Sequence, residues 1–273
     1  MTRVREALRD AAARLAPVSA SARLDAEVLM AEALGLTREA MLLDRLDSET
    51  PGGFSALIDR RLAHEPVAYI IGRQEFWSLD LKVGPGVLVP RSESETLIEA
   101  AQHWFGDEAP ETILDLGTGP GTLLLAALSE WPDARGLGVD ASEEALAYAR
   151  GNAEALGLAG RTEFRLGNWA EGLSGRFDLI LCNPPYLDAE DEIMADVRDF
   201  EPHLALFGDA RGLGAYRQIV PRLAPFIEKG GGAAIEMGKG QIDNVDKICR
   251  AEGFETRRWR DLLGIERCLF IHK

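Results

Sequence analysis

Cysteine and histidine are scarce in this chain. Cys182, Cys249 and Cys268 are scattered without metal-type spacing, and His64, His103, His203 and His272 form no ligand cluster. No metal site and no disulfide framework are therefore expected, and the thiols fit a reducing cytoplasm. Long apolar runs are missing too. None reaches the length of a membrane span, and Met1-Thr2-Arg3-Val4-Arg5-Glu6 lacks the apolar core of a signal peptide, so a cytoplasmic protein without a membrane partner is expected. Positive charge is in deficit, with 30 Lys and Arg against 45 Asp and Glu, a net charge of −15. The imbalance is uneven, being −2 over residues 1–75 and −13 over the remainder. Tight binding to nucleic acid relies on Lys and Arg neutralising phosphates, so naked DNA or RNA is disfavoured as a direct partner. There is no internal repeat and no low-complexity tract. What is present is ordinary for a globular protein: 273 residues, 46% apolar and 27% charged, enough for one large domain or two modest ones.

The first part reads as short helices. Arg3 to Leu15 is amphipathic and stops before Pro17; Ser21 is placed to cap a second helix that Gly35 ends; Thr37 opens a segment to Arg45; a further helix runs from Phe54 to about His64. The expectation for this region is a small bundle with a packing or partner-binding role. Glu75 to Val83 alternates at strand period, Gly84-Pro85-Gly86 makes a turn and Val87-Leu88-Val89 begins a second strand, which predicts a β-hairpin followed by a helix through Ile98, Ala101 and Trp104. From residue 111 strands and helices alternate. Strands are expected near 112–116, 136–140, 162–166, 177–182, 232–237, 254–259 and 266–272, and helices near 121–130, 142–157, 213–228 and 240–252. That alternation implies a mostly parallel sheet covered on both faces.

Three strand ends carry chemistry. Ile113-Leu114-Asp115-Leu116 runs into Gly117-Thr118-Gly119-Pro120-Gly121, where glycines let a ligand approach the backbone ahead of a helix N-terminus. The third glycine comes one residue earlier than in the dinucleotide fingerprint, and Pro120 has no N–H to offer a pyrophosphate. A tight turn with no ligand would look much the same. The next strand ends at Asp140, 19 positions after Gly121, where a carboxylate can accept both hydroxyls of a ribose. NAD or S-adenosyl-L-methionine would satisfy both elements. Trp169 follows the third strand and suits stacking on an adenine, with a core or interface role close to equal as an explanation.

Asn183-Pro184-Pro185-Tyr186 follows the buried run Phe177–Cys182 and separates the two cofactors. Consecutive prolines cannot join a sheet ladder and fix their own φ, giving a stiff loop at the carboxyl end of a strand. Asn183 supplies a side-chain carbonyl, Pro184 a backbone carbonyl and Tyr186 a flat aromatic face. Hydride transfer has no use for two rigid acceptors, whereas methylation of an amide nitrogen does. Such a nitrogen is a poor nucleophile because its lone pair is delocalised. Holding both N–H groups would orient that lone pair and favour the partly positive nitrogen of the transition state. A nucleic-acid methyltransferase acting on adenine N6 or guanine N2 could use the same tetrapeptide, and a dehydrogenase fits less well.

Nearly end to end, the chain resembles the protein-(glutamine-N5) methyltransferases that modify peptide chain release factors. The likeness covers Asp25-Ala26-Glu27, Glu65–Ile70 with Glu75-Phe76-Trp77, Pro90-Arg91, the glycine loop, Asn183–Tyr186, Phe200-Glu201-Pro202 and Arg260-Asp261 with Glu266-Arg267. It departs where the family reads Pro-Arg-Pro-Glu-Thr-Glu and this chain has Pro90-Arg91-Ser92-Glu93-Ser94-Glu95, losing the second proline, and at Cys268, where an aliphatic residue is common. The resemblance implies a class I methyltransferase, Rossmann-like with a seven-stranded mostly parallel sheet, over residues 91–273. An N-terminal helical substrate-binding domain would span 1–74 and a linking β-hairpin 75–90. It implies cofactor contacts at Gly117, Thr118, Gly119, Pro120, Gly121, Asp140, Trp169 and Asn183, and substrate contacts at Asn183, Pro184, Pro185 and Tyr186. Asn183 and Pro184 would be catalytic, the cofactor S-adenosyl-L-methionine, and the enzyme a monomer acting on the glutamine of a Gly-Gly-Gln tripeptide in release factors.

Overall fold

The computed structural model describes residues 2–273, the side chain of Ala210 excepted. The chain divides into two compact units. One holds the sequence up to Arg73 together with Ile193–Phe200, and the other holds Gln74–Glu192 and Glu201–Lys273.

The first unit is helical, with helices Val4–Leu15, Ala22–Leu34, Arg38–Asp44, Phe54–Leu62, Val67–Ile71 and Ala195–Phe200. Its core is built from Val4, Leu8, Leu15, Leu29, Met30, Met41 and Ile58. Thr37 caps its helix by accepting from the Ala40 N–H at 3.2 Å, and Gly35 ends the preceding helix in the left-handed region at φ +64°. Ser21 behaves differently from the expectation. It sits at the cap position, but its hydroxyl donates to Asp25 Oδ1 at 2.8 Å and accepts from no helix N–H. The helix from Phe54 stops at Leu62, short of the expected His64, which lies at φ +68°.

This unit carries a buried charge cluster. Arg61 bonds Asp25 Oδ2 at 2.8 Å and Asp196 Oδ2 at 3.2 Å, the Arg61 and Asp25 side chains being only 7% and 8% exposed. Removing the cation would leave the buried Asp25 carboxylate without its counter-charge. Arg61→Ala is expected to destabilise this unit by about 3–5 kcal/mol in chemical denaturation, well beyond the effect of a surface arginine.

The second unit opens with a hairpin, β1 (Arg73–Phe76) and β2 (Leu79–Lys82). Its turn is not at Gly84-Pro85-Gly86, as the alternation suggested, and 87–89 is not a strand. The chain turns instead at Trp77 and Ser78, both at positive φ (52° and 61°), the conformation a two-residue hairpin needs and residues other than glycine rarely adopt. Tertiary contacts stabilise it: the Trp77 backbone N–H donates to Glu95 Oε1 at 3.0 Å and its indole N–H to Glu130 Oε1 at 2.6 Å.

The large sheet comprises β3 (Thr112–Leu116), β4 (Arg135–Asp140), β5 (Thr162–Leu166), β6 (Phe177–Cys182), β7 (Ile227–Glu236), β8 (Glu255–Arg260) and β9 (Glu266–His272). The order is β5-β4-β3-β6-β7-β9-β8, parallel except where β9 runs against β7 and β8. Successive residues feed opposite faces, Ile113, Leu179 and Leu181 entering one apolar cluster and Leu114 and Ile180 the other. Helices Glu95–Phe105, Thr122–Glu130, Glu143–Ala155, Gly214–Leu223 and Ile242–Ala251 complete the unit, with shorter turns at His203–Leu206 and Asp209–Gly212. The helix expected to reach 228 ends at Leu223. Pro225 lies in a tighter turn after it, and β7 begins at Ile227 rather than 232. Among the described residues no helix is long and apolar enough to cross a membrane.

Candidate active site

Strand order fixes where a ligand can sit. The chain builds β3, β4 and β5 outward in one direction and then returns to place β6 on the other side of β3, which opens a crevice at the carboxyl ends of β3 and β6. Leu116 is in register with Cys182, so Gly117 and Asn183 emerge side by side. A cavity of about 430 Å³ lies there, lined by Gly117, Thr118, Gly119, Pro120, Asp140, Trp169, Asn183 and Pro185 among others. Gly121, Pro184 and Tyr186 are not part of its lining, and Pro184 is buried.

The glycine turn is held by its own carboxylates. Gly117, Gly119 and Gly121 all have positive φ, and a Cβ on Gly121 would come within 2.9 Å of Leu125, while one on Gly119 would meet open space. Asp140 Oδ2 accepts from the Gly119 N–H at 2.8 Å and Oδ1 from the Ser142 N–H at 2.9 Å, so the acid expected to hold a ribose also fastens the loop. Trp169 stands at φ +52°, strained for an aromatic residue, which brings its ring against Gly117. It lines the cavity and also packs on the sheet cluster.

Beneath the turn lies Asp115, 1% exposed. Its Oδ2 accepts from the Thr118 hydroxyl at 2.7 Å and the Leu124 N–H at 3.2 Å, and its buried Oδ1 has no hydrogen-bond partner among the described residues. Burial pushes its pKa up to about 7; the Thr118 and Leu124 bonds oppose the rise and Asp140 adds to it. A carboxyl whose folded pKa exceeds its unfolded value contributes stability that is lost as pH rises from about 4 to about 7. Asp115→Asn is therefore expected to gain stability relative to wild type across that window and hold the gain above it, on the order of 1–3 kcal/mol by thermal denaturation of the free protein.

The proline corner is held from several sides. Asn183 Nδ2 donates to the Ser94 hydroxyl at 3.2 Å. The Tyr186 hydroxyl lies 3.5 Å from Glu236 Oε1, and the Tyr186 carbonyl accepts from Gln241 Nε2 at 2.8 Å. Burial, then the neighbouring Glu236, push the Tyr186 phenol up and keep it protonated. Arg91, also on the cavity, bonds Glu201 Oε1 at 2.5 Å, while Glu201 Oε2 accepts from the Val89 N–H at 3.1 Å. The three cysteines are free and buried; burial raises each thiol, Cys249 to about 12, so none is a nucleophile.

Sequence reasoning passed over Ser94, Asp115 and Glu236 as site residues. Glu236 could have been found as the only charge in the apolar stretch Ala233-Ala234-Ile235-Glu236-Met237. Ser94 lies in the segment already marked by its missing proline.

Residues 6–72 match the PrmC N-terminal domain and residues 107–221 a methyltransferase domain. The release factor glutamine methyltransferase of Caulobacter vibrioides is 42% identical over 88% of this chain and 85% of its own length. Those of Bradyrhizobium diazoefficiens (38%) and Moorella thermoacetica (40%) each align with 99% of this chain, covering 95% and 98% of their own lengths. Among solved structures, a methyltransferase from Pyrococcus furiosus superposes with a TM-score of 0.55 at 19% identity, covering 80% of this chain and 98% of that one. The 16S rRNA N2 G1207 methyltransferase of Thermus thermophilus, solved with AdoMet and guanosine, gives 0.53 at 20%, covering 74% and 49%. At those identities the two structures establish the fold alone, a class I methyltransferase sheet. The chain belongs to the release factor glutamine methyltransferase family.

Proposed function

We propose that this protein transfers a methyl group from S-adenosyl-L-methionine to the side-chain amide N5 of the glutamine in the Gly-Gly-Gln tripeptide of peptide chain release factors. The observation that carries the reading is the register of β3 and β6, which sets Asn183 beside the glycine turn on one cavity.

The residues present fit the cofactor. Asp140 lines the cavity, and its oxygens keep acceptor capacity beyond two backbone bonds, as a ribose diol requires. Asp115 Oδ1 is a buried acceptor with no hydrogen-bond partner among the described residues, suited to an ammonium. Gly119 leaves open the space a side chain would fill, and Trp169 offers a flat face. Gly117, Thr118, Pro120 and Gly121 complete the turn. When bound, the cofactor supplies a sulfonium methyl, an electrophile that needs no metal-activated nucleophile. Asn183 Oδ1 and the Pro184 carbonyl would accept the two N–H groups of the substrate amide and stabilise the positive charge that develops on nitrogen. Pro185 and Tyr186 would hold the glutamine side chain in line. No strong general base is required, because the proton becomes acidic as the new bond forms.

The helical unit would hold the protein substrate, with domains at 1–74, 75–90 and 91–273. The enzyme would act as a monomer in the cytoplasm, in translation termination. Three buried free thiols fit a reducing compartment, and a net charge of −15 supports a protein over a nucleic-acid substrate.

Labelled methyl transfer to a purified release factor, set against RNA and DNA, tests this reading. Incorporation into the release factor is expected; incorporation only into adenine or guanine would replace it with the nucleic-acid alternative.

A further inference from the structure

Two prolines stiffen the backbone between Asn183 and Tyr186, but they do not fix where that stiff piece sits relative to the glycine turn. It leaves β6 at one end and needs an anchor at the other. The structure supplies one in Gln241, between the end of β7 and the helix Ile242–Ala251. Its Nε2 donates to the Tyr186 carbonyl at 2.8 Å, and its Oε1 accepts from the Gly238 N–H at 3.0 Å. Both ends of one carboxamide are engaged, which determines its orientation. Gln241 also occupies the N-cap position of the helix, where a short polar side chain commonly accepts from a helix N–H; its own side chain makes no such bond. The residue serves the corner and not the helix.

The far side of the corner is packed without slack. A Cβ on Gly208 would come within 2.5 Å of the Pro185 carbonyl oxygen, and one on Gly212 would overlap the Tyr186 carbonyl oxygen and meet Gln241 Nε2 at 2.6 Å. One on Gly238 would lie 3.0 Å from both Gln241 Oε1 and the Tyr186 ring. Past the corner, the Leu187 N–H donates to the Leu206 carbonyl at 3.0 Å and the Gly208 N–H to the Leu187 carbonyl at 2.9 Å. Gly208 and Asp209 line the same cavity as Asn183, whereas Gln241 is not part of its lining. The Tyr186 hydroxyl is held more loosely, 3.5 Å from Glu236 Oε1. Its carbonyl is the firm attachment.

We propose that Gln241 is a positioning residue for the methyl-transfer step. Its carboxamide ties the Tyr186 carbonyl to the end of β7, and so holds Asn183 Oδ1 and the Pro184 carbonyl in place beside the methyl donor. Cys182 of β6 is paired with Ile235 of β7, so the corner leaves one strand and is fastened to its neighbour. The inference rests on the reading of Asn183–Tyr186 as the substrate corner.

Misplacing reacting groups by about 1 Å costs on the order of 10²-fold in rate, so loss of this tie should fall on kcat. Gln241→Glu separates positioning from a structural role. A glutamate still accepts from the Gly238 N–H and its charge suits a helix N-terminus, but it has no N–H for the Tyr186 carbonyl and repels it. On a release factor, kcat is expected to fall about 10–100-fold in Gln241→Glu, and similarly in the near-isosteric Gln241→Met, with affinity for S-adenosyl-L-methionine little changed by calorimetry. A merely structural Gln241 would leave Gln241→Glu at wild-type kcat, and that result would overturn the proposal. The second readout needs no turnover. In free protein carrying 3-fluorotyrosine at its four tyrosines, the Tyr186 fluorine resonance is assigned by its loss in Tyr186→Phe. It is expected to shift or broaden in Gln241→Glu while those of Tyr69 and Tyr148 stay in place. An unmoved Tyr186 resonance would also overturn the proposal. Because that resonance is read without substrate, failure of this inference is distinguishable from failure of the assigned reaction.

Discussion

Replacing Asn183 with alanine is expected to slow turnover by about 10²–10³-fold while the protein remains folded. The side chain is half-buried, lines the cavity and touches Ser94 through its NH2 end, so its removal opens a small gap but breaks no core contact. On the proposed reaction, what is lost is an acceptor for charge that exists only in the transition state. The loss should therefore fall on kcat, with substrate and cofactor KM moving far less. Steady-state kinetics on a release factor, with circular dichroism as the folding control, make the measurement. Wild-type kcat in this variant would remove Asn183 from the chemistry.

Asp140→Ala should act on the other half of the reaction. The carboxylate is assigned to the ribose hydroxyls, and charge-assisted hydrogen bonds of that kind are each worth about 1.5–3 kcal/mol. The structure adds a second consequence. The same side chain holds the Gly119 and Ser142 N–H groups, so alanine also loosens the turn that shapes the cavity. Affinity for S-adenosyl-L-methionine by calorimetry is expected to fall about 10–100-fold or more. Asp140→Asn, which can still accept one of those bonds, should lose less. Unchanged affinity in the alanine variant would take Asp140 out of the cofactor site.

Much of this was legible in the sequence for physical reasons. Strands β3 to β6 are short apolar runs bounded by glycine, proline or acid, a pattern that a parallel sheet buried on both faces imposes. Their chemistry sits at the carboxyl ends, where strand order opens the crevice. Asp140 was singled out by its place at a strand end in step with the glycine turn, and Asn183 by the acceptor chemistry of the tetrapeptide it opens. The hairpin was misplaced because alternation through Trp77 and Ser78 looks continuous, whereas the turn there depends on Glu95 and Glu130, distant in sequence. Ser21 and Arg61 were misread or missed for a related reason, since the partners that decide their roles lie on other turns or other segments. Ser94 and Asn183 are 89 positions apart, and only the folded chain brings them together.

The central claim is that a proline-stiffened corner presents two oxygens to a planar amide beside a methyl donor. Tandem mass spectrometry of a release factor after incubation with this enzyme and S-adenosyl-L-methionine tests it most directly. The account predicts a single added methyl group on the side-chain nitrogen of the Gly-Gly-Gln glutamine, present with wild type and nearly absent with Asn183→Ala. A methyl on any other residue, or one that Asn183→Ala transfers as fast as wild type, would contradict it.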